Sequence, residues 1–261
     1  MVKHFQKIGS SFIKTFSQMF SNVGRFVMFI FNTTKCIFSK KWYFKNLAEQ
    51  FLEIGFYSLP VVTATAIFTG AVMALQTYAG CNRFGAESTV PTIVVLAITR
   101  ELAPILVGLM VAGRVSTSIA AHIGTMRVSE QIDALYTLST SPFKYLILPR
   151  VIATTISMPF LVLLADIIGI FGGTFASVVS LGFDLSQYLN NTVNFLQFED
   201  VYSGLMKSVV FGFIIAINGC YFGYHSKGGA EGVGKATINA IVSTSIGILL
   251  SNYLMTKFFF I

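Results

Sequence analysis

Two long stretches of this 261-residue chain carry no charged side chain at all. One lies between Glu53 and Arg83, and the other lies between Lys235 and Lys257. As a helix, about 20 consecutive apolar residues cross the hydrocarbon core of a bilayer. Charged residues make up 11% of the chain, whereas a soluble domain carries about 25%. The sequence therefore predicts an all-α integral membrane protein.

Five segments are long and apolar enough to cross the membrane. They cover residues 54–79, 90–115, 151–181, 205–224 and 236–256. We assign residues 49–261 to one transmembrane domain. Residues 1–48 form a separate segment, which contains eight lysines and arginines and no acidic residue.

The basic N-terminal segment has a helical pattern. Between Phe5 and Val27, apolar residues recur at steps of three or four, with polar residues between them. This pattern predicts an amphipathic helix that lies in the membrane interface, with its lysines on anionic lipid rather than on nucleic acid. A packed helix of a soluble domain is the alternative.

The distribution of cations predicts the orientation. With five crossings, the N-terminal segment, residues 122–150 and residues 225–235 share one side and hold 13 lysines and arginines, whereas the opposite side holds two. Cytoplasmic loops are enriched in basic residues. We therefore expect a multi-pass protein of a bacterial inner membrane, with a cytoplasmic N-terminus and a periplasmic C-terminus.

Four of the ionisable residues within the predicted spans are candidates for a function. They are Arg100, Glu101, Asp166 and Lys207. A charge at membrane depth is costly, so each should form a pair or line a polar path. Neighbouring helical residues point in different directions, so Arg100 and Glu101 should have different partners. The four are candidates for a substrate path, and structural pairing is the alternative.

A stripe of small residues follows the second predicted span at every fourth position. Its members are Gly108, Ala112, Ser116, Ala120 and Gly124. Small residues on one helix face allow another backbone to approach closely. The stripe predicts a helix-packing seam, either within the subunit or between two copies.

Residues 125–138 predict a short amphipathic helix on the cytosolic side. Val128, Ile132 and Leu135 would share one face, and such a helix suits docking into a groove on a partner. The candidate docking residues are Met126, Arg127, Glu130, Gln131 and Asp133. A helix lying on the lipid surface is the alternative.

The sequence contains no complete catalytic or cofactor-binding motif, which argues against an enzyme. Gly229–Lys235 has the spacing of a phosphate-binding loop, but Ala236 stands where the Mg²⁺-binding Ser or Thr belongs. The three cysteines lack the spacing of metal ligands. We expect no cofactor and no metal in this chain.

An ion-coupled secondary transporter of an amphipathic small molecule is an alternative function, although repeated halves and an ion site are not evident.

The runs Arg100–Arg114, Gly124–Leu135 and Gly228–Thr237 closely resemble the MlaE family of ABC permeases, in a form like that of Rickettsiales. The resemblance extends over about residues 50–257. It implies a homodimeric permease for phospholipid that pairs with a cytosolic ATPase and an outer-side MCE-domain substrate-binding protein. ATP and Mg²⁺ would be bound by the ATPase.

The resemblance also assigns roles to residues. Glu130–Leu135 would be the coupling helix that engages the ATPase, and Arg100, Glu101 and Lys207 match charged positions near the lipid path. The complex would move phospholipid between the inner membrane and the carrier and so maintain outer-membrane lipid asymmetry. Asn252 stands where some members carry an aspartate, so this chain has no carboxylate at that position.

Overall fold

A computed structural model describes residues 20–21, 23–36 and 43–260. Within these ranges the chain contains helices and turns and no strand. The prediction for residues 1–19 lies outside the described residues, as do residues 22, 37–42 and 261.

Five helices are long and apolar enough to cross a membrane, which confirms the predicted fold class. The spans, numbered in chain order, are Phe44–Phe84, Glu87–Val128, Phe143–Leu181, Phe198–Tyr224 and Gly229–Phe260. Three shorter helices cover residues 23–36, Gln131–Thr137 and Leu185–Phe195.

The first three spans are much longer than their apolar cores. The second contains 42 residues, or about 63 Å of helix, against about 30 Å of hydrocarbon. In the first span, a 3-10 turn at Phe56–Ser58 separates the helix Phe44–Ile54 from the helix Leu59–Cys81. The helix Phe44–Ile54 therefore crosses the predicted domain boundary between residues 48 and 49.

The third and fourth spans occupy the centre of the bundle. About half of the apolar window of each is buried, whereas 22% is buried in the first and fifth spans. The outer spans display large apolar side chains such as Phe68, Val72 and Tyr253. The first and fifth spans therefore have the least buried apolar windows of the five.

The first and third spans touch through their backbones. A Cβ atom on Gly70 would lie 1.9 Å from the carbonyl oxygen of Gly169, and one on Gly172 would lie 2.4 Å from the carbonyl oxygen of Ile67. No side chain fits at either position. Glycine therefore sets the distance between these spans.

The helix 23–36 packs on the protein and does not only lie on lipid. Phe29 is buried, with its ring 5.3 Å from that of Phe143 and 5.5 Å from that of Tyr221. Val23, Val27 and Phe31 are exposed. The helix has both a docked face and an apolar face open to its surroundings, as an interfacial helix requires.

Candidate functional site

A π-helical turn at Ile98–Leu102 interrupts the second span and carries Arg100 and Glu101. Apolar helical stretches, Val90–Ala97 and Ala103–Val111, lie on either side of it. Pro104 has no N–H group, so it cannot donate to the carbonyl of Arg100 four residues earlier. The sequence thus places two charges and an unpaired carbonyl at one point of an apolar helix.

Lys207 on the fourth span donates a hydrogen bond to that carbonyl. Its Nζ donates to the Arg100 carbonyl oxygen at 2.9 Å, to Glu101 Oε1 at 2.7 Å and to Thr256 Oγ1 at 2.8 Å. The side chain is fully buried. An ammonium group has three N–H donors, so all of them are used.

Glu101 also contacts the fifth span. Its Oε1 accepts a second hydrogen bond from Thr256 Oγ1 at 2.8 Å, and its Oε2 accepts one from Asn252 Nδ2 at 2.9 Å. An aspartate at position 252 could not donate this bond when ionised. Asn252 is therefore a hydrogen-bond donor that ties the fifth span to Glu101.

Arg100 turns the other way and pairs with Asp200. Arg100 Nε and Nη2 each lie 2.6 Å from Asp200 Oδ1. Asp200 Oδ2 also accepts from the backbone N–H of Gln197, within a capping box at the start of the fourth span. The buried carboxylate thus serves both the helix N-terminus and the arginine.

The prediction that Arg100 and Glu101 have different partners is confirmed. Their side chains keep 35% and 34% of their surface exposed, whereas Lys207 and Asp200 are buried. The Arg100 guanidinium lies 4.6 Å from the centre of the Phe260 ring. The cluster therefore presents one cation and one anion to its surroundings.

Asp166 stands apart from this cluster. It is buried in the third span, and neither of its carboxylate oxygens has a hydrogen-bond partner within the described part of the chain. The structure therefore brings together three of the four candidate path residues and leaves the fourth separate.

A narrow apolar cleft, with an internal volume of about 20 Å³, lies between the first three spans beside the π-helical turn. Its walls include Leu102 and Leu106 of the second span, Thr69 of the first and Ala165 of the third. Charged groups and an apolar cleft are thus neighbours along the second span.

The predicted small-residue stripe packs against the fourth and fifth spans of the same chain. A Cβ atom on Gly108 would lie 3.2 Å from Phe211, and one on Gly124 would lie 3.2 Å from Ser226. Ser116 Oγ lies 3.2 Å from Thr244 Oγ1 of the fifth span. The seam was predicted to lie either within the subunit or between two copies. The contacts of the stripe in this structure lie within the subunit.

The predicted helix 125–138 is wrong as a single element. The second span continues to Val128, and a new helix covers Gln131–Thr137. Glu130 between them has a positive φ of 59°. Left-handed backbone ends a right-handed helix and reorients the chain. Val128 and Ile132 therefore do not share one helix face.

The candidate docking residues surround this break. Arg127 Nη1 lies 2.7 Å from Asp133 Oδ1, so the two predicted docking charges pair with each other. Glu130 and Gln131 are exposed, whereas Met126 is half-buried. Ile132 is fully buried and anchors the short helix.

The segment that mimics a phosphate-binding loop is helical. Gly229–Lys235 lies at the start of the fifth span, and Glu231 and Lys235 form an ion pair one turn apart. A phosphate-binding loop instead wraps its backbone amides around an anion.

Sequence reasoning missed the partners of the charged residues. Asp200 lies outside the predicted spans, although Gln197 and Asp200 have capping-box spacing, which marks a helix start. No local signal connects Thr256, Asn252 or Phe260 with Glu101 and Arg100, because these contacts span about 150 residues of chain.

Comparisons with known proteins agree on one group. The profile of the family MlaE, described as "Permease MlaE", matches residues 47–258. A Rickettsia bellii protein named "Probable ABC transporter permease protein" is 54% identical over 253 residues, which cover 97% of this chain and 98% of that protein. A Synechocystis protein with a similar name is 42% identical over 216 residues, covering 83% and 82%.

A plant relative extends the comparison. "Protein TRIGALACTOSYLDIACYLGLYCEROL 1, chloroplastic" of Arabidopsis thaliana is 35% identical over 224 residues, which cover 86% of this chain and 64% of that protein.

Proposed function

Because the chain belongs to the MlaE family of ABC transporter permeases, we propose that it moves phospholipid in a bacterial inner membrane, driven by a separate cytosolic ATPase. The observation that carries the proposal is that Arg100 and Glu101, each about one-third exposed, lie between two apolar helical stretches. A phospholipid has the same division into a charged head and apolar tails.

Arg100 is the group that would meet the lipid phosphate. Lys207 has no free N–H, whereas the Arg100 guanidinium has five donors and uses Nε and Nη2 toward Asp200. Its exposed remainder can form charge-assisted bonds to a phosphate. The acyl chains would lie along the apolar helical stretches on either side of the π-helical turn, Val90–Ala97 and Ala103–Val111.

A second copy of the chain would complete the path. Half-exposed charges between apolar stretches are costly against lipid tails, so they should face a protein-lined space. The apolar windows of the first and fifth spans are the least buried of the five, at 22% each, so these spans are available for contact. We therefore propose a homodimer with the two charged pairs around a shared cavity.

The remaining subunits follow from the orientation that the basic residues predict. The break at Glu130 and the helix Gln131–Thr137 would face the cytosol and dock on the ATPase. The ends of the second, fourth and fifth spans near Arg100 would face the periplasm, where an MCE-domain carrier would exchange lipid and contribute to outer-membrane asymmetry. The Arabidopsis relative carries the name of a galactosylated glycerolipid, which favours a lipid substrate.

The test of the substrate is lipid retention. The complex of this chain with its ATPase is purified in nanodiscs, and bound lipid is quantified by mass spectrometry with and without ATP. We expect phospholipid that decreases when ATP is added. Glu101→Gln should lower retention by about threefold to tenfold, because the anion that orients Lys207 and Asn252 is lost.

The matched control is Glu87→Gln, an exposed acid at the start of the second span. Retention that falls equally in both variants would contradict a role for Glu101. Absence of phospholipid, or transport that follows an ion gradient and ignores ATP, would reject the proposed function.

The docking surface has its own test. Replacing Glu130 and Gln131 with lysine should reduce recovery of the ATPase with the purified chain, because both side chains are exposed at the helix break. The control changes Glu87 and Ser88 to lysine near the opposite end of the second span. Unchanged ATPase recovery in the first variant would exclude this surface.

A further inference from the structure

A second polar site lies toward the other end of the second span, 21 residues from Glu101 or about 32 Å along the helix. It is an open cavity of about 370 Å³. The helix Phe44–Ile54, the second span near His122 and the start of the third span form its walls. Its size falls in the usual range of ligand pockets.

Arg150 forms one wall of this cavity and has no carboxylate partner. It is 7% exposed, donates from Nη1 to the Leu146 carbonyl oxygen at 2.8 Å, and places Nη2 2.9 Å from His122 Nδ1. Among the described residues, no acid lies within ion-pair distance of it. A buried guanidinium without a counter-charge is costly, so an anionic group in the cavity would stabilise it.

Two acids form the facing wall. Glu49 and Glu53 lie one turn apart on the helix Phe44–Ile54 and both line the cavity. The Glu53 carboxylate accepts only long bonds of 3.4 Å, from Gln50 and Ser118, whereas its backbone carbonyl accepts from Arg114 Nη1 at 3.1 Å. Neither acid has an ion pair in the described part of the chain. The cavity thus keeps opposite charges apart on its two walls.

The cavity lies near one end of the second span, a position that we place at the level of the lipid head groups. His122 is six residues before the end of the second span at Val128, or about 9 Å along the helix. The polar layer on each side of the hydrocarbon core is about 5 to 8 Å thick. Met126, Leu146 and Pro149 add apolar surface to the same walls.

We propose that this cavity binds the head group of a zwitterionic aminophospholipid from the leaflet on the side of the Gln131–Thr137 helix. The phosphate accepts hydrogen bonds from Arg150 and His122, and the ammonium group lies against Glu49 and Glu53. A zwitterion satisfies both walls at once, whereas a simple anion would face the two glutamates. The described residues contain no group of acids, histidines and cysteines arranged to hold a metal ion.

The inference rests on the membrane placement of the chain and does not need ATP-driven transport. The purified full-length chain is titrated with phosphatidylethanolamine and phosphatidylglycerol of identical acyl chains, and bound lipid is counted by native mass spectrometry. We expect a preference for phosphatidylethanolamine of about threefold or more. Changing Glu49 and Glu53 to glutamine should bring the ratio to about one, because only the ammonium contact is lost.

Arg150→Gln should lower binding of both lipids, and Arg150→Lys should restore part of it. The double variant Glu87→Gln and Glu199→Gln is the matched control, because it removes the same charge from two exposed acids outside the cavity. A preference that persists without Glu49 and Glu53, or that disappears equally in the control, would overturn the proposal.

A competition experiment separates the lipid from a soluble ligand of the same chemistry. Water-soluble glycerophosphoethanolamine, added at the lipid concentration, should leave the lipid bound. Displacement at equal concentration would assign the cavity to a soluble phosphoamine and overturn the assignment to lipid.

Discussion

Two buried cations of this chain differ in their partners. Lys207 donates all three of its N–H groups within the bundle, one of them to a carboxylate. Arg150 contacts a carbonyl and a histidine and has no carboxylate within ion-pair distance in the described residues. The first arrangement joins three spans, whereas the second leaves charge available to a ligand. Burial of a charge alone therefore does not distinguish structural groups from binding groups.

The largest expected effect breaks the Lys207 network. Lys207→Met should destabilise the chain by about 2 to 3 kcal/mol, less than a fully buried pair because Glu101 is one-third exposed. Thermal unfolding in detergent should show a decrease of about 5 °C or more. Arg150→Met should decrease the melting temperature less, because it strands no carboxylate. An equal decrease in both variants would remove the distinction between the two cations.

Asn252→Asp sharpens the same comparison with a smaller change. The new carboxylate would replace the amide that donates to Glu101 Oε2 at 2.9 Å, so two anions would share one lysine. We expect a loss of about 1 to 2 kcal/mol, measured as a lower melting temperature at neutral pH. The double variant Asn252→Asp with Glu101→Gln should recover most of it. No recovery would show that the loss does not arise from repulsion at Glu101.

The smallest expected effect concerns a carboxylate outside the membrane spans. Asp184 caps the helix Leu185–Phe195, and hydrogen bonds from Ser186 Oγ and the Gln187 N–H hold the pKa of its carboxyl below its ordinary value. A lowered folded-state pKa stabilises the helix above the unfolded pKa, and this stabilisation is lost as pH falls through the folded value.

Amide hydrogen-exchange protection in Leu185–Phe195, measured relative to the intrinsic exchange rate at each pH, should therefore decrease as the solution is acidified below about pH 4. Asp184→Asn retains a capping side chain, so its protection should depend less on pH in that range. The same acid dependence in the variant would exclude Asp184 as its source.

The sequence predicted the spans well and the site only in part. Long uncharged runs have one physical solution in a membrane, so all five crossings were predictable. Arg100, Glu101 and Lys207 stand out because their cost at membrane depth is high wherever they point. Their mutual geometry was not predictable, since a π-helical turn and Pro104 decide which carbonyl is free.

Two further features have no local signature. A glutamate in the left-handed conformation contradicts its intrinsic preference, so the pattern around Glu130 favoured one continuous helix. The polar cavity combines Glu53, His122 and Arg150 from three separate helices. Each residue alone resembles an ordinary interfacial side chain, and only tertiary packing brings them around one space.

The backbone contact between Gly70 and Gly169 limits how the molecule can move. The first and third spans are in backbone contact, with no side chains between them that could rearrange as the helices slide. Rotation of either helix would bring main-chain atoms into steric overlap. These two helices must therefore move as one rigid unit. Any rearrangement between spans then has to occur elsewhere in the bundle, and the π-helical turns at Ile98–Leu102 and Ala112–Ser116 interrupt the regular hydrogen bonding of the second span.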